Sequence, residues 1–425
     1  MLIAAQIIMV LTLVLMVWGK TPLYSTAVIG SALAALVAGI PIISSDEEAT
    51  TIRTLIGDGL NPVIADMAGV LVFIGIMEAV GFLDVLVKAI IRLGNRFGGG
   101  PGVASSGGIA AGLIGAFTGF TQPAITAVVT GPASTKLGVS PSKSAGVHAH
   151  AGHLGNFAGF THPTLLAVIA TAGIKFGWIN VIGLATALTI FGVSFLRMRG
   201  DLKGKEISGE ERAEVMKQFA PEKGEPSVWL ALLPFVLLVI GFALGYPVFA
   251  VGFVVSIIVM ALGRYNPLKG EEEMLKSVQR VAVPLIATVG FLFMSGVIGE
   301  IGIVPLMAGL FEPLLTSMPI LTLVLVSAVA GLLTQSNSAS AAIILPFLTL
   351  VMAQDGINPL AAAAAAAGPT AVMQYFLTGG PVAALATAIP VIPGSDLKTA
   401  NRFQRPSILA GLGFVGALAI VLGFF

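Results

Sequence analysis

The sequence predicts an all-α, polytopic membrane protein made of two inverted repeats, with about ten spans and two re-entrant hairpins. The first supporting observation is composition, since 56% of the residues are hydrophobic, 10% are charged and the mean hydropathy is +0.98. A soluble domain carries about 25% charged residues, so this chain cannot cover itself with a polar surface. The second is that apolar runs near the ~20 residues needed to cross a bilayer recur along the chain. The third is a long polar segment near the middle, residues 197–227.

The first apolar run, residues 2–18, has no basic residue before it and no small-residue cleavage site after it. We therefore expect it to be the first span rather than a cleaved signal peptide. The chain has no cysteine, which excludes structural disulfides and thiolate chemistry. Its formal net charge of +1 argues against a nucleic-acid partner. We expect neither a cofactor nor an enzymatic activity.

The polar segment carries seven basic and seven acidic residues and is predicted to be a cytoplasmic linker, 197–227, between two membrane repeats, 1–196 and 228–425. The order of features is the same in both repeats. Each has two plain spans, a third span, an apolar run split by a Thr-Gln patch, a run split by Gly and Pro, and a last span. An offset of 218 residues places Pro163 on Pro381.

The distribution of basic residues decides how these segments cross the membrane. If each run around a Thr-Gln patch is a re-entrant hairpin, each repeat makes five crossings and the second is inverted. With the N-terminus outside, 20 of the 22 Lys and Arg residues then lie on the cytoplasmic side, and only Arg53 and Lys175 lie outside. A repeat with six crossings would put Lys20 on the opposite face from the linker. We therefore predict a multi-pass protein of the inner (plasma) membrane with both termini extracytoplasmic.

Four polar interruptions of the apolar runs predict the binding site. Two are the hairpin tips, at 118–122 and 334–340, and two are breaks, at 152–163 and 374–381. Unwound backbone at membrane depth costs several kcal/mol per unpaired group unless it is buried in protein or lines a wet cavity. Paired breaks at matching positions of two inverted halves point to a transporter's central site. The predicted substrate-binding residues are Thr118, Thr121, Gln122, Asn156, Thr161, Gln335, Ser336, Asn337, Ser338, Gln374, Thr378 and Gly379.

All four histidines fall in the stretch "GVHAHAGHLGNFAGFTHPT" around the first break. The spacing of His148, His150 and His153 resembles a metal cluster, but these residues do not share one helix face and no Cys, Asp or Glu completes a site nearby. We therefore expect no metal and place His148 and His150 at the membrane interface. His153 and His162 lie deeper and are the ion-coupling candidates, because imidazole has an unperturbed pKa near 6.5. The alternative is that they are packed, hydrogen-bonded core histidines.

Three further features have structural interpretations. Glu78 and Glu300 occupy nearly matching places on the third spans, where they either relay protons or seal helix ends, and we favour sealing. Charged residues recur every four positions along 84–96, which is typical of an amphipathic helix on the membrane surface. The alanine run 361–367 is typical of a helix face that packs closely against its neighbours.

The predicted site is polar but holds no Arg or Lys. We therefore expect a small oxygen-rich anion, such as a carboxylate, bound by half-helix N-termini, hydroxyls and amides, with an imidazolium as the cationic group. No Asp or Glu lies between residues 85 and 200, which argues against a sodium/proton antiporter built on buried carboxylates. A channel is a further alternative, but two paired breaks fit a closed alternating-access site better than a continuous pore.

The order of features resembles the gluconate:proton symporter (gluconate permease) family of the wider ion-transporter superfamily, over most of the chain. The resemblance is carried by "EPSVWLALLPFVLLV" at 225–239, by "FMSGVIGEIGI" at 293–303, and by His153 followed by the pair His162-Pro163. The two histidines are farther apart here than in that family, and its Pro-rich run is missing. The tip "QSNSAS" resembles the Ser-Asn-Thr tips of the dicarboxylate/sodium symporters of the same superfamily.

This resemblance implies a secondary active symporter of a small organic anion, such as gluconate or another sugar acid or hydroxycarboxylate, driven by protons. The alternative is a sodium-coupled mono- or dicarboxylate symporter of the same superfamily. The resemblance also implies homodimers in the lipid bilayer and an elevator-type movement of the hairpin domain. The identity of the substrate and of the coupling ion stays open at this point.

Overall fold

The computed structural model describes residues 1–18, 21–46, 49–59, 62–118, 123–202, 208–279, 282–377 and 387–425. Every regular element in these ranges is helical, which confirms the all-α prediction. The helices of the first half are α1 (Leu2–Trp18), α2 (Leu23–Ala38), α3 (Ile52–Asp58), α4 (Pro62–Ala79), α5 (Phe82–Thr118), α6 (Ala124–Lys136), α7 (Pro141–Ala149), α8 (Ala151–Phe157), α9 (Pro163–Ala172) and α10 (Trp178–Asp201).

The polar segment between the halves contains α11 (Gly209–Met216) and a 3-10 turn, Lys217–Phe219. The second half contains α12 (Val228–Ala243), α13 (Val248–Leu262), α14 (Pro267–Gln279), α15 (Ala282–Glu300), α16 (Ile303–Ser317), α17 (Pro319–Thr334), α18 (Asn337–Met352), α19 (Pro359–Met373), a 3-10 turn at Ile389–Val391 and α20 (Leu397–Leu422). Proline begins α7, α9, α17 and α19. At this first helical position its fixed φ fits the helix and its missing N–H is not needed.

Many of the apolar helices are shorter than the ~20 residues of a typical membrane span. Three segments are long and apolar enough to cross a membrane, namely Ile52–Ala79, Trp178–Gly200 and Leu397–Leu422, and the first of them runs across positions 60–61, outside the described ranges. Nine other apolar helices among the described residues have 10–17 residues. At 1.5 Å per residue a helix of 17 residues spans only about 25 Å, less than the ~30 Å hydrocarbon core. Short apolar helices are expected where a chain turns back or breaks within the membrane.

Helix α5 bends sharply at a run of glycines. Gly99 has φ 56° and ψ −130°, a combination open to glycine, and Pro101 follows it inside the helix. A Cβ on Gly102 would lie 1.8 Å from the carbonyl oxygen of Gly94, so the two parts of α5 touch through their backbones. The bend separates the charged part, which contains the 84–96 segment, from the apolar part that packs against α6.

The linker is partly folded onto this charged part of α5, although the sequence predicts only a solvated loop. The Lys88 ammonium bonds Glu222 at 2.6 Å and Glu225 at 3.1 Å. These hydrogen bonds, first to Glu222 and then to Glu225, raise the pKa of Lys88 above its ordinary value. Arg92 donates to the carbonyl oxygen of Phe219 at 2.9 Å, and the Phe219 ring is buried in an apolar cluster. That cluster contains Ile91, Val103, Ala133 and Leu137, so Phe219 belongs to an apolar cluster with residues from both sides of the bend.

Helix α19 packs closely against its neighbours along the alanine run. Residues Ala361–Ala367 are at most 3% exposed, and the helix packs against α17 and α20. The Ser327 hydroxyl of α17 donates to the carbonyl oxygen of Ala366. A Cβ on Gly331 would lie 2.7 Å from the carbonyl oxygen of Thr370. The prediction that this run is a thin, closely packing helix face is confirmed.

Candidate transport site

The first break lies between α8 and α9, where residues 158–162 leave the helical path. Its backbone finds partners on two neighbouring helices. The Asn180 amide of α10 donates to the carbonyl oxygens of Ala158 at 3.2 Å and Gly159 at 2.9 Å, and the Phe160 N–H donates to the carbonyl oxygen of Ala116 at 2.7 Å. Non-helical backbone inside a membrane protein requires such partners, and this break is stabilised by protein groups.

The tip at 334–340 is a two-residue turn between α17 and α18, which pack against each other. Gln335 has a left-handed conformation with φ 50°, which is uncommon for a residue other than glycine. Ser336 accepts the N–H of Ala339 at 3.3 Å and begins α18, while the Thr334 and Ser340 hydroxyls lie 2.7 Å apart. The side chains of the tip therefore hold a tight reversal of the chain.

The first break and this tip meet inside the protein. The Thr164 hydroxyl donates to the carbonyl oxygen of Asn337 at 2.9 Å, and the Asn337 amide nitrogen lies 3.3 Å from His162 Nδ1. The Asn337 N–H in turn donates to the Gln374 side chain at 3.0 Å. Helices α9 and α18 begin at Pro163 and Asn337, so two helix N-termini meet at this contact. Helix N-termini carry partial positive charge, which favours a bound anion.

The two breaks also meet each other. His153 Nδ1 lies 3.2 Å from the carbonyl oxygen of Ala371, and the Asn156 amide donates to the Tyr375 hydroxyl at 3.0 Å. The Tyr375 ring packs edge-on against the His153 ring, with 4.8 Å between centroids. The partners in the first two contacts are 218 and 219 residues apart, close to the offset of 218 between the halves.

Several buried polar atoms around these contacts have no protein partner. Among the described residues they include Gln335 Oε1, Asn337 Oδ1, Thr370 Oγ1 and His153 Nε2. Leaving a buried polar group unsatisfied costs about 1–3 kcal/mol, so native proteins seldom keep several together without a use. An amide side chain can present either its oxygen or its NH₂ group, and this set therefore suits a ligand that carries both acceptors and donors.

Other predicted site residues have different surroundings. Thr161 is buried, with its hydroxyl 3.4 Å from the Ala116 carbonyl oxygen, and the Ser338 side chain interacts with the Tyr24 hydroxyl of α2. Thr118 is the last residue of α5. The remaining four predicted residues lie outside the described ranges, namely Thr121, Gln122, Thr378 and Gly379. The structure therefore brings together the residues of the second tip and the two breaks.

Sequence reasoning missed Tyr375, Thr164 and Thr370. Tyr375 could have been predicted as a site residue, because a tyrosine next to a break can pack through its ring and form a hydrogen bond through its hydroxyl. Thr164 follows Pro163 directly, at the start of a half-helix, where a hydroxyl is a common partner of neighbouring backbone. No local signal distinguishes Thr370 from other helical threonines.

His148 and His150 are fully enclosed by protein, whereas the sequence predicts an interfacial position for both. His148 bonds Thr130 through Nε2 at 2.6 Å and the Ser144 carbonyl oxygen through Nδ1 at 2.8 Å, and His150 Nε2 bonds Ser194 at 2.8 Å. Hydroxyls on neighbouring helices thus make burial of both imidazoles possible. No group of three or more His, Cys, Asp or Glu suited to a metal occurs within the described part of the chain.

Glu78 and Glu300 are exposed at the ends of α4 and α15, away from the contacts between the tip and the breaks. A carboxylate at the exposed end of an apolar helix reaches water without the cost of burial. Their positions fit the favoured interpretation, in which they end the helices, and give no support to a proton relay through the site.

No family model matches the chain, and no curated protein matches it. The chain is similar over nearly its whole length to solved structures of transporters. The YdaH transporter of Alcanivorax borkumensis has a TM-score of 0.61 and 17% identity, with 96% of this chain and 98% of that chain covered. MtrF of Neisseria gonorrhoeae, described as illuminating a class of antimetabolite efflux pumps, has a TM-score of 0.63 and 14% identity, with 97% of each chain covered.

At these identities the likeness establishes a shared fold. It shows no family or superfamily for this chain, and no comparison shows the predicted resemblance to the gluconate permease family. Both similar structures are transporters rather than enzymes. The chain is a multi-pass membrane protein with the fold of a polytopic membrane transporter.

Proposed function

We propose that the protein is a secondary active transporter of a small organic anion, such as a sugar acid or hydroxycarboxylate. The observation that carries this proposal is the meeting of two helix N-termini, at Pro163 and Asn337, beside the buried side-chain amide oxygens of Gln335 and Asn337, which have no protein partner. The N-termini favour a negative charge, and the amides and hydroxyls suit the remaining oxygens of the substrate. The proposed binding residues are those of the second tip and the two breaks, together with Thr121 and Gln122 of the first tip.

The direction of transport is part of the proposal. We favour import of the anion by symport, in line with the resemblance to gluconate permeases. The alternative is export of a small antimetabolite, which is favoured by the whole-chain fold similarity to MtrF, whose class is described as antimetabolite efflux pumps. Both alternatives use the same site, because an alternating-access carrier opens one central binding site first to one side of the membrane and then to the other.

The proposed architecture is two inverted repeats, 1–196 and 228–425, joined by the linker and assembled as homodimers in the bilayer. Its support is the order of helices. In each half a short helix follows two apolar helices, namely α3 in the first half and α14 in the second. In each half a broken span also precedes the last long helix, which is α10 in the first half and α20 in the second. We propose that the paired helices α17 and α18 form a re-entrant hairpin that moves with the substrate in an elevator-type cycle.

A transport screen tests the function directly. The full-length protein is reconstituted into proteoliposomes and offered gluconate, other sugar acids, hydroxycarboxylates and dicarboxylates, with a proton gradient, a sodium gradient or neither. Gradient-driven accumulation of at least one anion is the expected result. Export is tested with the same vesicles loaded with antimetabolites and given the reverse gradient. If no anion moves under any gradient, the proposal is wrong.

Exchanging both histidines tests coupling to protons. His153 and His162 are the proposed proton-coupling groups, because acidic residues are absent from 85–200 and imidazole is the side chain whose unperturbed pKa, about 6.5, is nearest to neutral pH. The double variant His153→Gln, His162→Gln should lose accumulation driven by a pH gradient between pH 5.5 and 8.5 at constant sodium. Retained accumulation in this variant would exclude the histidine mechanism. Loss of uptake by the unchanged protein when sodium is removed would indicate sodium coupling instead.

A single cysteine tests the proposed topology. The chain has no cysteine, so Ser208→Cys in the linker and Ser45→Cys in the exposed loop after α2 each give one reactive thiol. An impermeant thiol reagent added to intact cells should label position 45 and leave position 208 unlabelled until the membrane is opened. Labelling of position 208 from outside would overturn the proposed orientation, in which the linker is cytoplasmic and both termini are extracytoplasmic.

A further inference from the structure

Two of the buried histidines are neighbours. The ring centroids of His150 and His153 lie 5.4 Å apart, with 36° between the ring planes. Both side chains are buried, His150 at 0% and His153 at 1% exposure. The junction between α7 and α8 brings them together, because His153 N–H donates to the carbonyl oxygen of His150 across this turn at 3.0 Å.

Each ring has one nitrogen bonded and one nitrogen without a partner. His153 Nδ1 faces the carbonyl oxygen of Ala371, and His150 Nε2 faces the Ser194 hydroxyl. His153 Nε2 and His150 Nδ1 are buried and have no partner. Because a carbonyl oxygen can only accept, the hydrogen of neutral His153 lies on Nδ1, which leaves a basic lone pair on Nε2. A neutral pair therefore keeps two unsatisfied polar atoms in the interior, which is unfavourable.

The Ser194 hydroxyl lies 2.7 Å from that of Ser407, so α10 and α20 together support His150. A hydroxyl either donates or accepts, and the bond that Ser194 accepts from a protonated His150 is charge-assisted and therefore stronger than its bond with the neutral ring. His153, through Tyr375 and Ala371, contacts the second break instead. The pair thus connects the two last helices of the halves to the proposed site.

The titratable and charged groups on the elements that pack around the pair are few. His148 of α7 has both ring nitrogens bonded, and Tyr375 packs on His153. Arg197 of α10 is near enough to act electrostatically on His150. The apolar part of α5 and the whole of α19 carry no charged residue, and neither α6 nor α20 carries an Asp or Glu. Three basic residues of α6 and α20 are exposed, namely Lys136, Lys398 and Arg402. The fourth, Arg405, bonds the Asn401 side chain. Lys143 of α7 lies over the Phe403 ring, and Arg199 and Asp201 stand at the end of α10, about two turns beyond Ser194.

We propose that His150 and His153 form one shared proton-binding site, in which His153 Nε2 takes the proton beside the unpartnered Nδ1 of His150. This inference rests on the proposed proton-coupled transport and extends it to a residue pair. The proton comes from water on one side of the membrane and returns to water on the other.

The test is a ¹⁵N NMR titration of the full chain in lipid nanodiscs with labelled histidine, between pH 4 and 9. The four histidines of the chain make assignment by single His→Gln exchanges practical. Neutral His153 should show hydrogen on Nδ1, and His150 and His153 should titrate together in coupled steps. In His153→Gln the coupled steps should collapse to one step at His150, whereas His148→Gln, the matched control, should leave them unchanged. Independent titration of the two rings, or hydrogen on Nε2 of neutral His153, would overturn the proposal.

A milder variant keeps the test decisive if an exchanged ring disturbs folding. Ser194→Ala removes only the hydroxyl that supports His150, and should lower the pH of the coupled steps by about one unit, a tenfold loss of proton affinity. Unchanged steps in this variant would count against the proposal. The titration uses no substrate, so a negative titration would contradict the shared proton site without contradicting anion transport. A negative transport screen would contradict anion transport without changing the result of the titration.

Discussion

Replacing Asn337 by alanine is expected to weaken substrate binding by about 1–3 kcal/mol, roughly 5- to 150-fold in Kd. The side chain is 4% exposed, its nitrogen faces His162, and its oxygen has no protein partner. The backbone bonds of residue 337 to Thr164 and Gln374 do not use the side chain, so the tip should keep its place. The measurement is the concentration dependence of anion uptake in proteoliposomes.

Thr349→Ala is the matched control on the same helix, because the Thr349 hydroxyl bonds only the Leu345 carbonyl oxygen one turn away. It should transport with unchanged affinity. Ser336→Ala should also weaken binding, but it removes the cap of α18 as well, which costs about 1 kcal/mol of helix stability. Thr121→Ala should weaken binding to a similar degree if the first tip contributes. Normal affinity in all three site variants would mean that the substrate binds elsewhere.

Gly252→Ala is expected to be strongly destabilising. A Cβ on Gly252 would lie 2.2 Å from the carbonyl oxygen of Gly69, so α13 and α4 touch there backbone to backbone. No side chain can move aside to make room, and the two helices would have to separate. Overpacking of this kind costs about 1–3 kcal/mol or more, which exceeds the roughly 1 kcal/mol that alanine gains over glycine inside a helix. A lower midpoint of thermal unfolding in detergent is the expected measurement.

The control for this change is Gly192→Ala in α10. No atom lies within 4 Å of a Cβ at Gly192, so alanine should leave the unfolding midpoint unchanged or raise it through helix propensity. If Gly252→Ala unfolds at the same temperature as the unchanged protein, the close contact between α4 and α13 does not exist in the membrane protein.

Local chemistry explains which structural features could be predicted. The 56% apolar composition identifies a membrane protein because the chain has too few charges to cover a soluble domain. The first break and the second tip were predictable because Gly, Pro, Ser and Asn interrupt apolar runs and bond their own backbone. The start of α9 at Pro163 and of α18 at Asn337 follows from proline at the first helical position and from the Ser336 cap.

Tertiary structure alone decided which of these features meet. The contact between Asn337 and His162 joins residues 175 positions apart, and no periodicity in either segment predicts it. Three other features also depend on contacts that no local pattern predicts. They are the docking of Phe219 beside the bend of α5, the packing of Tyr375 on His153, and the burial of His148 and His150. The sequence shows that a polar residue within an apolar run needs a hydrogen-bond partner. The partner is chosen by the packing of whole helices, which depends on the shapes of surfaces far apart in the chain.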